Sequence, residues 1–340
     1  MSSGDAIIAN DLTKKYAGEV VAIDHASFTV KRGEIFGLLG LNGAGKSTTI
    51  KILSTLVPPT SGSASVLGFD ILKEGIDVRK RIGVVQQLES YDRNLTVRSS
   101  LSLYANLWDL KRSDVRKAIN SLAEKFNLQD LLDRKIRWLS YGQRRRLQVA
   151  REFLHESDLL ILDEPTVGMD VLARHSFLEY CRESAKEQGK TIFYTTHIIS
   201  EAEYLCDTVA VIHHGRIIAL DSPKDLKKKY TNVHVVSIIL RNRADILRLS
   251  SDLDKIPLVQ KKEEIPDSPG IRIVTQDPFA FVTEFAKIGE SETFEVESLT
   301  ISEPSLEDVI VQLIGNEDQQ LNPVEKEKLL RSVSVDTRNR

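Results

Sequence analysis

The stretch "GLLGLNGAGKSTTIKIL", Gly37–Leu53, runs from apolar residues through spaced glycines into Lys-Ser and then a helix-like segment. Gly40, Gly45, Lys46 and Ser47 fit G-x-x-x-x-G-K-[ST], whose glycines let successive backbone N–H groups turn inward around phosphate oxygens. A side chain at Gly43 or Gly45 would crowd that approach. A helix starting near Lys46 aims its positive end at the anion. Lys46 can then reach the β- and γ-phosphates, and the Ser47 hydroxyl can ligate Mg²⁺. The bland alternative is a glycine-rich turn with an incidental Lys-Ser pair, and the residues downstream decide against it.

"LLILDEP", Leu159–Pro165, is an apolar strand that ends in two adjacent acids. Asp163 at the strand's end is placed to hold Mg²⁺. Glu164 points the other way and suits a base that polarises an attacking water. By itself this pattern is as readily a solvated acidic turn; behind a phosphate loop it reads as the second half of a nucleotide site. The N/T-K-x-D pattern of guanine recognition is absent from the sequence.

The rest of the chain sets limits. It has 340 residues, enough for two or three compact domains. Lys plus Arg total 46 and Asp plus Glu 49, a net charge of -3, so no global pull towards nucleic acid or an acidic membrane is expected. Cys181 and Cys206 form no C-x-x-C pair and read as buried or free thiols in a reducing compartment. "MSSGDAIIANDLTKKY" lacks the pattern of a secretory signal, and runs such as Leu159–Leu162 are too short to cross a bilayer.

"VVAIDHASFTV", "EIFGLL", "SASVLGF", "RIGVV", "DLLILDEP", "TIFYTTH" and "TVAVIHHGRIIAL" read as strands of a mixed or parallel sheet, with a helical insertion at about 88–153. The expected fold class is α/β, with residues 1–230 forming one domain. "SPKDLKKKY" marks a shift. Residues 231–315 then read as β-α-β-β-α-β and a closing helix, a small α+β domain of split-βαβ type. Residues 316–340 are polar and highly charged and are expected to be a disordered tail. Lys227–Lys229 read as the end of an exposed helix.

Between the two phosphate motifs lies "LSYGQRRRLQVA", Leu139–Ala150. With it, the chain resembles an ATP-binding cassette (ABC) nucleotide-binding domain, and most of all the ATPase subunits of ABC-2-type exporters, the drug-resistance and nodulation-type branch. In this resemblance Tyr16 is the aromatic residue that stacks on adenine. Gly40 to Thr48, with Asn42, Gly43, Ala44, Gly45, Lys46 and Ser47, are the Walker A phosphate loop. Gln87, with Gln86 as the adjacent alternative, is the Q-loop glutamine that contacts Mg²⁺ and the attacking water. Ser140, Gly142 and Gln143 belong to the signature motif, and Leu159–Glu164 to Walker B with its catalytic Glu164. Gly168-Met169-Asp170 are the D-loop, and His197 is the switch histidine that touches the γ-phosphate. Metal contacts fall to Ser47, Gln87 and Asp163.

One position departs from the family's LSGGQ: the third residue is Tyr141. The resemblance implies that two such chains pair head to tail, with ATP held between Walker A of one and the signature of the other. It also implies a P-loop ATPase core, ATP and Mg²⁺ as ligands, and a homodimer that drives export through a separate membrane permease. That permease would dock near Gln87–Val97, which places the chain on the cytoplasmic face of the membrane. The alternative is a non-transport ABC-type ATPase acting on a soluble assembly. No direct nucleic-acid binding is expected.

Overall fold

The computed structural model describes residues 4–320, apart from 19, 156, 231–233, 266–267, 292–294 and 303–304. In chain order the first part holds β1 (Asp5–Tyr16), β2 (Val20–Lys31), β3 (Ile35–Leu39), α1 (Lys46–Leu53), β4 (Ser61–Val66), β5 (Phe69–Asp70), α2 (Gly75–Arg79) and β6 (Ile82–Val85). Three helices follow, α3 (Val97–Leu107), α4 (Arg112–Lys125) and α5 (Tyr141–Glu152). The chain then returns through β7 (Leu159–Asp163), α6 (Val171–Gln188), β8 (Thr191–Thr196), α7 (Ile199–Leu205), β9 (Thr208–His213), β10 (Arg216–Asp221) and α8 (Pro223–Tyr230).

Six of these strands form one sheet in the order β10-β9-β3-β8-β7-β6, parallel except for the antiparallel edge strand β10. Every residue of β3, β7 and β8 is buried, as a parallel sheet covered on both faces demands. A smaller antiparallel sheet, β2-β1-β4-β5, shares a core with it. There Phe28, Phe36 and Phe193 pack with ring centroids 5.5–6.0 Å apart. This is the expected α/β class, with two refinements. β1 was not marked by the strand reading. "TVAVIHHGRIIAL" is a hairpin rather than one run: His214 and Gly215 both have positive φ, the geometry of a tight two-residue turn.

The chain divides by contact into two compact units, one of 1–223 with 313 onward and one of 224–312. The second unit holds β11 (His234–Leu240), α9 (Ile246–Leu253), β12 (Lys261–Glu264), β13 (Gly270–Thr275), α10 (Pro278–Ser291) and β14 (Val296–Ser302), and α11 (Leu306–Gln320) closes the order. Its sheet runs β12-β13-β11-β14, all antiparallel, which is the split-βαβ arrangement. Val236, Ile238, Ile271, Ile273, Leu249 and Phe281 centre its core. α11 carries helix to Gln320, so the first residues of the expected disordered tail are helical, and the remainder of that tail lies outside the described residues.

The helical insertion is tied down beside His155, which is 6% exposed. Its ring meets Trp108 edge-on at 3.9 Å and stacks on Tyr104 at 6.2 Å. Burial, aided by Lys190, pulls the imidazole pKa down to about 4. Between its unfolded value near 6.5 and this folded value, the unfolded chain carries a proton that the folded chain refuses. Stability therefore falls as pH drops through that window, by roughly 3 kcal/mol in all. Melting curves from pH 7 to pH 5 should show this loss, and His155→Phe should make the decline shallower. An unchanged slope would remove His155 as its source.

Candidate active site

Four adjacent strands, β3, β8, β7 and β6, end on the same side of the large sheet, and Gly40–Thr48, Gln86 and Gln87, Asp163 and Glu164, and His197 lie at or just past those ends. Ligands of open α/β sheets bind at such an edge. After β3 the chain turns through Gly40–Gly45 into α1. A β-carbon on Gly40 would strike the Ile212 carbonyl and side chain. Gly45 has φ 112°, and a β-carbon there would stand 2.5 Å from the Ala22 carbonyl. Gly43 faces open space, so its requirement for glycine is its φ of +81° rather than crowding.

Lys46 is 5% exposed. Its Nζ donates to the carbonyls of Gly40 at 2.7 Å and Leu41 at 3.0 Å. It also pairs with Glu164 Oε1 at 3.0 Å. The other oxygen of that carboxylate, Oε2, lies 3.2 Å from His197 Nδ1. Glu164 thus bridges the loop after β3 and the residue after β8.

Its backbone is left-handed, with φ 45°. That conformation costs about 1–2 kcal/mol for a residue with a side chain and is typical of functional turns. The Glu164 amide donates to Thr195 O and Oγ1, each at 3.1 Å, and Thr195 Oγ1 donates to Asp163 Oδ1 at 2.8 Å. Burial raises the Asp163 pKa, against hydrogen bonds from Thr195 and Ser47.

A second cluster forms at the N-terminus of α5. Ser140 caps the helix: its hydroxyl accepts from Gln143 N at 3.2 Å, and Gln143 Oε1 accepts from Ser140 N at 2.9 Å. Tyr141 and Gly142 lie against Gly168. Asp170 caps α6, its Oδ1 accepting from Ala173 N at 2.9 Å, and that bond holds its carboxyl below the usual range. Tyr16, at the end of β1, is 39% exposed with Lys14 Nζ over its ring at 5.2 Å. Asn42, Gln86 and Gln87 are exposed. Ser47 and Thr48 are half-buried at the start of α1, and Ala44 is buried.

These features are those of a nucleotide triphosphate site, and comparison with known proteins agrees. The family described as "ABC transporter" matches residues 23–167. Nod factor export ATP-binding protein I of Rhizobium sp. (strain N33) is 36% identical over 312 residues, covering 91% of this chain and 98% of that protein. The chain belongs to the ABC transporter family. A second relative, Probable multidrug ABC transporter ATP-binding protein YbhF of Escherichia coli (strain K12), is 42% identical over 230 residues, 67% of this chain. The match spans only 39% of YbhF's own length. A solved "ATP binding subunit of ABC transporter" superposes with TM-score 0.61 at 31% identity, over 66% of this chain and 93% of that one. The chain is an ATP-binding, ATP-hydrolysing ABC cassette.

Three residues essential to the cassette's geometry were not singled out by sequence reasoning. Arg144, Arg145 and Arg146 are consecutive on α5, but their three side chains diverge. Arg144 pairs with Glu89 at 2.7 Å, and Arg146 bonds the carbonyls of Phe126 and Asn127. Arg145 is buried. Its guanidinium donates to the carbonyls of Asp163 (2.5 Å), Glu164 (3.0 Å), Pro165 (3.1 Å) and Gln86 (2.7 Å) and to Gln148 Oε1 (3.0 Å).

Gln148 completes the clamp by donating to Gln86 O at 3.0 Å and Leu88 O at 2.8 Å. The third is Glu201, buried on α7. It accepts from Thr166 at 2.8 Å, Tyr194 at 2.8 Å and Thr196 at 2.9 Å, so it braces both the turn after Glu164 and the strand that delivers His197. For Arg145 and Gln148 the available signal was their i,i+3 spacing on α5.

Arg145→Lys keeps the charge but cannot reach five acceptors from one ammonium. It should lower kcat for ATP about tenfold or more, because charge-assisted bonds of about 1.5–3 kcal/mol each are lost around Glu164. ATP affinity, set by the loop before α1, should move much less. Steady-state hydrolysis beside nucleotide titration reads the two separately. Normal kcat would show that the fork is dispensable.

Proposed function

We propose that the chain is the ATPase subunit of an exporter, acting as a homodimer on a separate membrane permease, with Mg²⁺ accompanying ATP. The observation that carries this reading is the Lys46–Glu164–His197 bridge, with the signature cluster built separately at the exposed start of α5. One chain offers two different half-sites: a phosphate loop with its base, and a helix N-terminus with none. A second copy turned head to tail would complete both at once.

The residues derive a hydrolytic step. The amides of Gly43–Ser47 and the N-terminus of α1 receive the phosphates. The γ-phosphate draws Lys46 away from the Gly40 and Leu41 carbonyls and from Glu164. The freed carboxylate then holds a water in line with the γ-phosphorus and accepts its proton as the new P–O bond forms and ADP leaves. His197, bonded to Glu164 at rest, keeps that carboxylate oriented. Ser47 and the buried Asp163 carboxylate, whose pKa burial raises, would hold Mg²⁺, with Gln87 as a further contact. That ion would neutralise charge on the phosphate oxygens. Tyr16 would stack on the base.

The permease surface proposed at Gln87–Val97 is held firmly. Arg151 binds Ser90 through its carbonyl at 2.6 Å and its hydroxyl at 2.7 Å, Glu89 is gripped by Arg144 and Arg93, and Leu88 projects with 78% of its surface exposed. No helix among the described residues is long and apolar enough to cross a membrane. The relatives' description as ATP-binding proteins of export systems supports assigning the membrane path to a partner, with the chain at the inner membrane face. The relatives named for Nod factor export and multidrug transport support export as the direction.

Glu164→Gln should lose ATP hydrolysis by roughly 10²-fold or more, the scale of general-base loss. It should bind ATP at least as tightly as the unmodified chain, because Lys46 loses its resting counter-ion. Near-normal turnover would remove Glu164 as the base.

The same variant, tagged and held with Mg-ATP in detergent-solubilised membranes, should retain a polytopic membrane protein in near-stoichiometric amount. Soluble partners alone, from a preparation that binds ATP, would favour the non-transport reading.

A further inference from the structure

Tyr141 stands where the family has glycine, and the hydrolytic scheme leaves its side chain without a task. The structure gives it one. A β-carbon built on Gly168 would fall against Cδ1 and Cε1 of the Tyr141 ring, so the ring lies directly on the Gly168 backbone. Gly142 presses on the same point: a β-carbon there would meet the Gly168 carbonyl oxygen at 2.5 Å and Met169 Cα at 3.8 Å. Gly168 adopts φ +79°, so a side chain there would be strained and would have to displace the ring.

The turn under the ring leads somewhere specific. On one side Val167 N donates to Glu164 O at 3.3 Å and Met169 N to Thr166 O at 3.0 Å. On the other, Asp170 caps α6. Residues 165–170 are a short strut from the base to the head of α6, pinned at its middle. Arg145, one helical turn beyond Tyr141, grips the other end of the strut at Asp163, Glu164 and Pro165. Tyr141 is 45% exposed, and the buried part of it rests on this strut.

We propose that Tyr141 is a positioning residue: its ring clamps the Gly168 turn onto the start of α5, so that the signature helix and the segment leading back to Glu164 move as one body. A chain with glycine at this position would be joined there only through Gly142 and Arg145. The proposal rests on the reading of Glu164 as the base, and its consequence is for kcat, since the strut leads back to Glu164.

A double-mutant cycle on the full chain tests it. Gly168→Ala forces a methyl group into the ring and should lower kcat about tenfold or more with a smaller change in KM for ATP. In the Tyr141→Gly background the same substitution should cost about threefold or less. The penalty for alanine at positive φ, and that for glycine at the start of α5, occur in both arms and cancel. Tyr141→Phe keeps the ring and should preserve the full Gly168→Ala penalty.

If Gly168→Ala unfolds the chain with the ring present but folds in the Tyr141→Gly background, the same coupling is read as stability. Equal penalties in both backgrounds, or Tyr141→Phe behaving as Tyr141→Gly, would overturn the clamp while the unmodified chain still hydrolyses ATP. An unmodified chain without hydrolysis would instead overturn the reading beneath it.

Discussion

One buried guanidinium joins the parts of this cassette that must act together. Arg145 is compensated less by carboxylates than by peptide carbonyls, those of residues 86, 163, 164 and 165, with Asp163 and Glu164 adding a favourable field. A buried cation without such partners would be strongly destabilising. The carbonyls gain as well, because they belong to turns that the sheet ladder no longer satisfies. The helix that begins with the signature serine is thereby attached to the catalytic turn and to the glutamine loop by one planar group, whose fork geometry a lysine cannot copy.

The two clusters use one physical device in two orientations. α1 starts at the phosphate loop and α5 at the separate signature cluster, and a helix start is suited to an anion. They differ in how they wait. At α1 the lysine occupies the phosphate's place by bonding carbonyls and Glu164. At α5 the Ser140–Gln143 capping box satisfies the helix end internally. The start of α5 is capped within the chain, whereas α1 has no side-chain cap and keeps its N–H groups for an anion.

The legible part of this structure was the part written in local pattern. Glycines at 40 and 45, the acids closing an apolar strand at 163 and 164, and a histidine after "TIFYTT" each carry their chemistry in neighbouring residues. Strand readings succeeded for β3, β7 and β8, whose continuous apolar runs reflect burial on both faces. What failed to show was long-range hydrogen bonding to backbone. Arg145 is one of three consecutive arginines, and nothing in the sequence sets it apart, because a carbonyl acceptor has no sequence signature. Glu201 was equally hidden: its hydroxyl partners come from Thr166, Tyr194 and Thr196, separated from it along the chain or looking like ordinary strand residues. The contact that gives Tyr141 a role is with a glycine, the residue least able to announce a partner.

The ion pair between Lys46 and Glu164 makes ligand recognition an exchange of counter-ions. The cation that would read a phosphate is paired with the carboxylate that would polarise the attacking water. A ligand must outbid one carboxylate in charge at that point, and a terminal phosphate with its two or more negative oxygens does so. The displaced carboxylate is then left facing His197 without its cation. On the proposed reading, the substrate's own charge would be what releases the carboxylate from its cation.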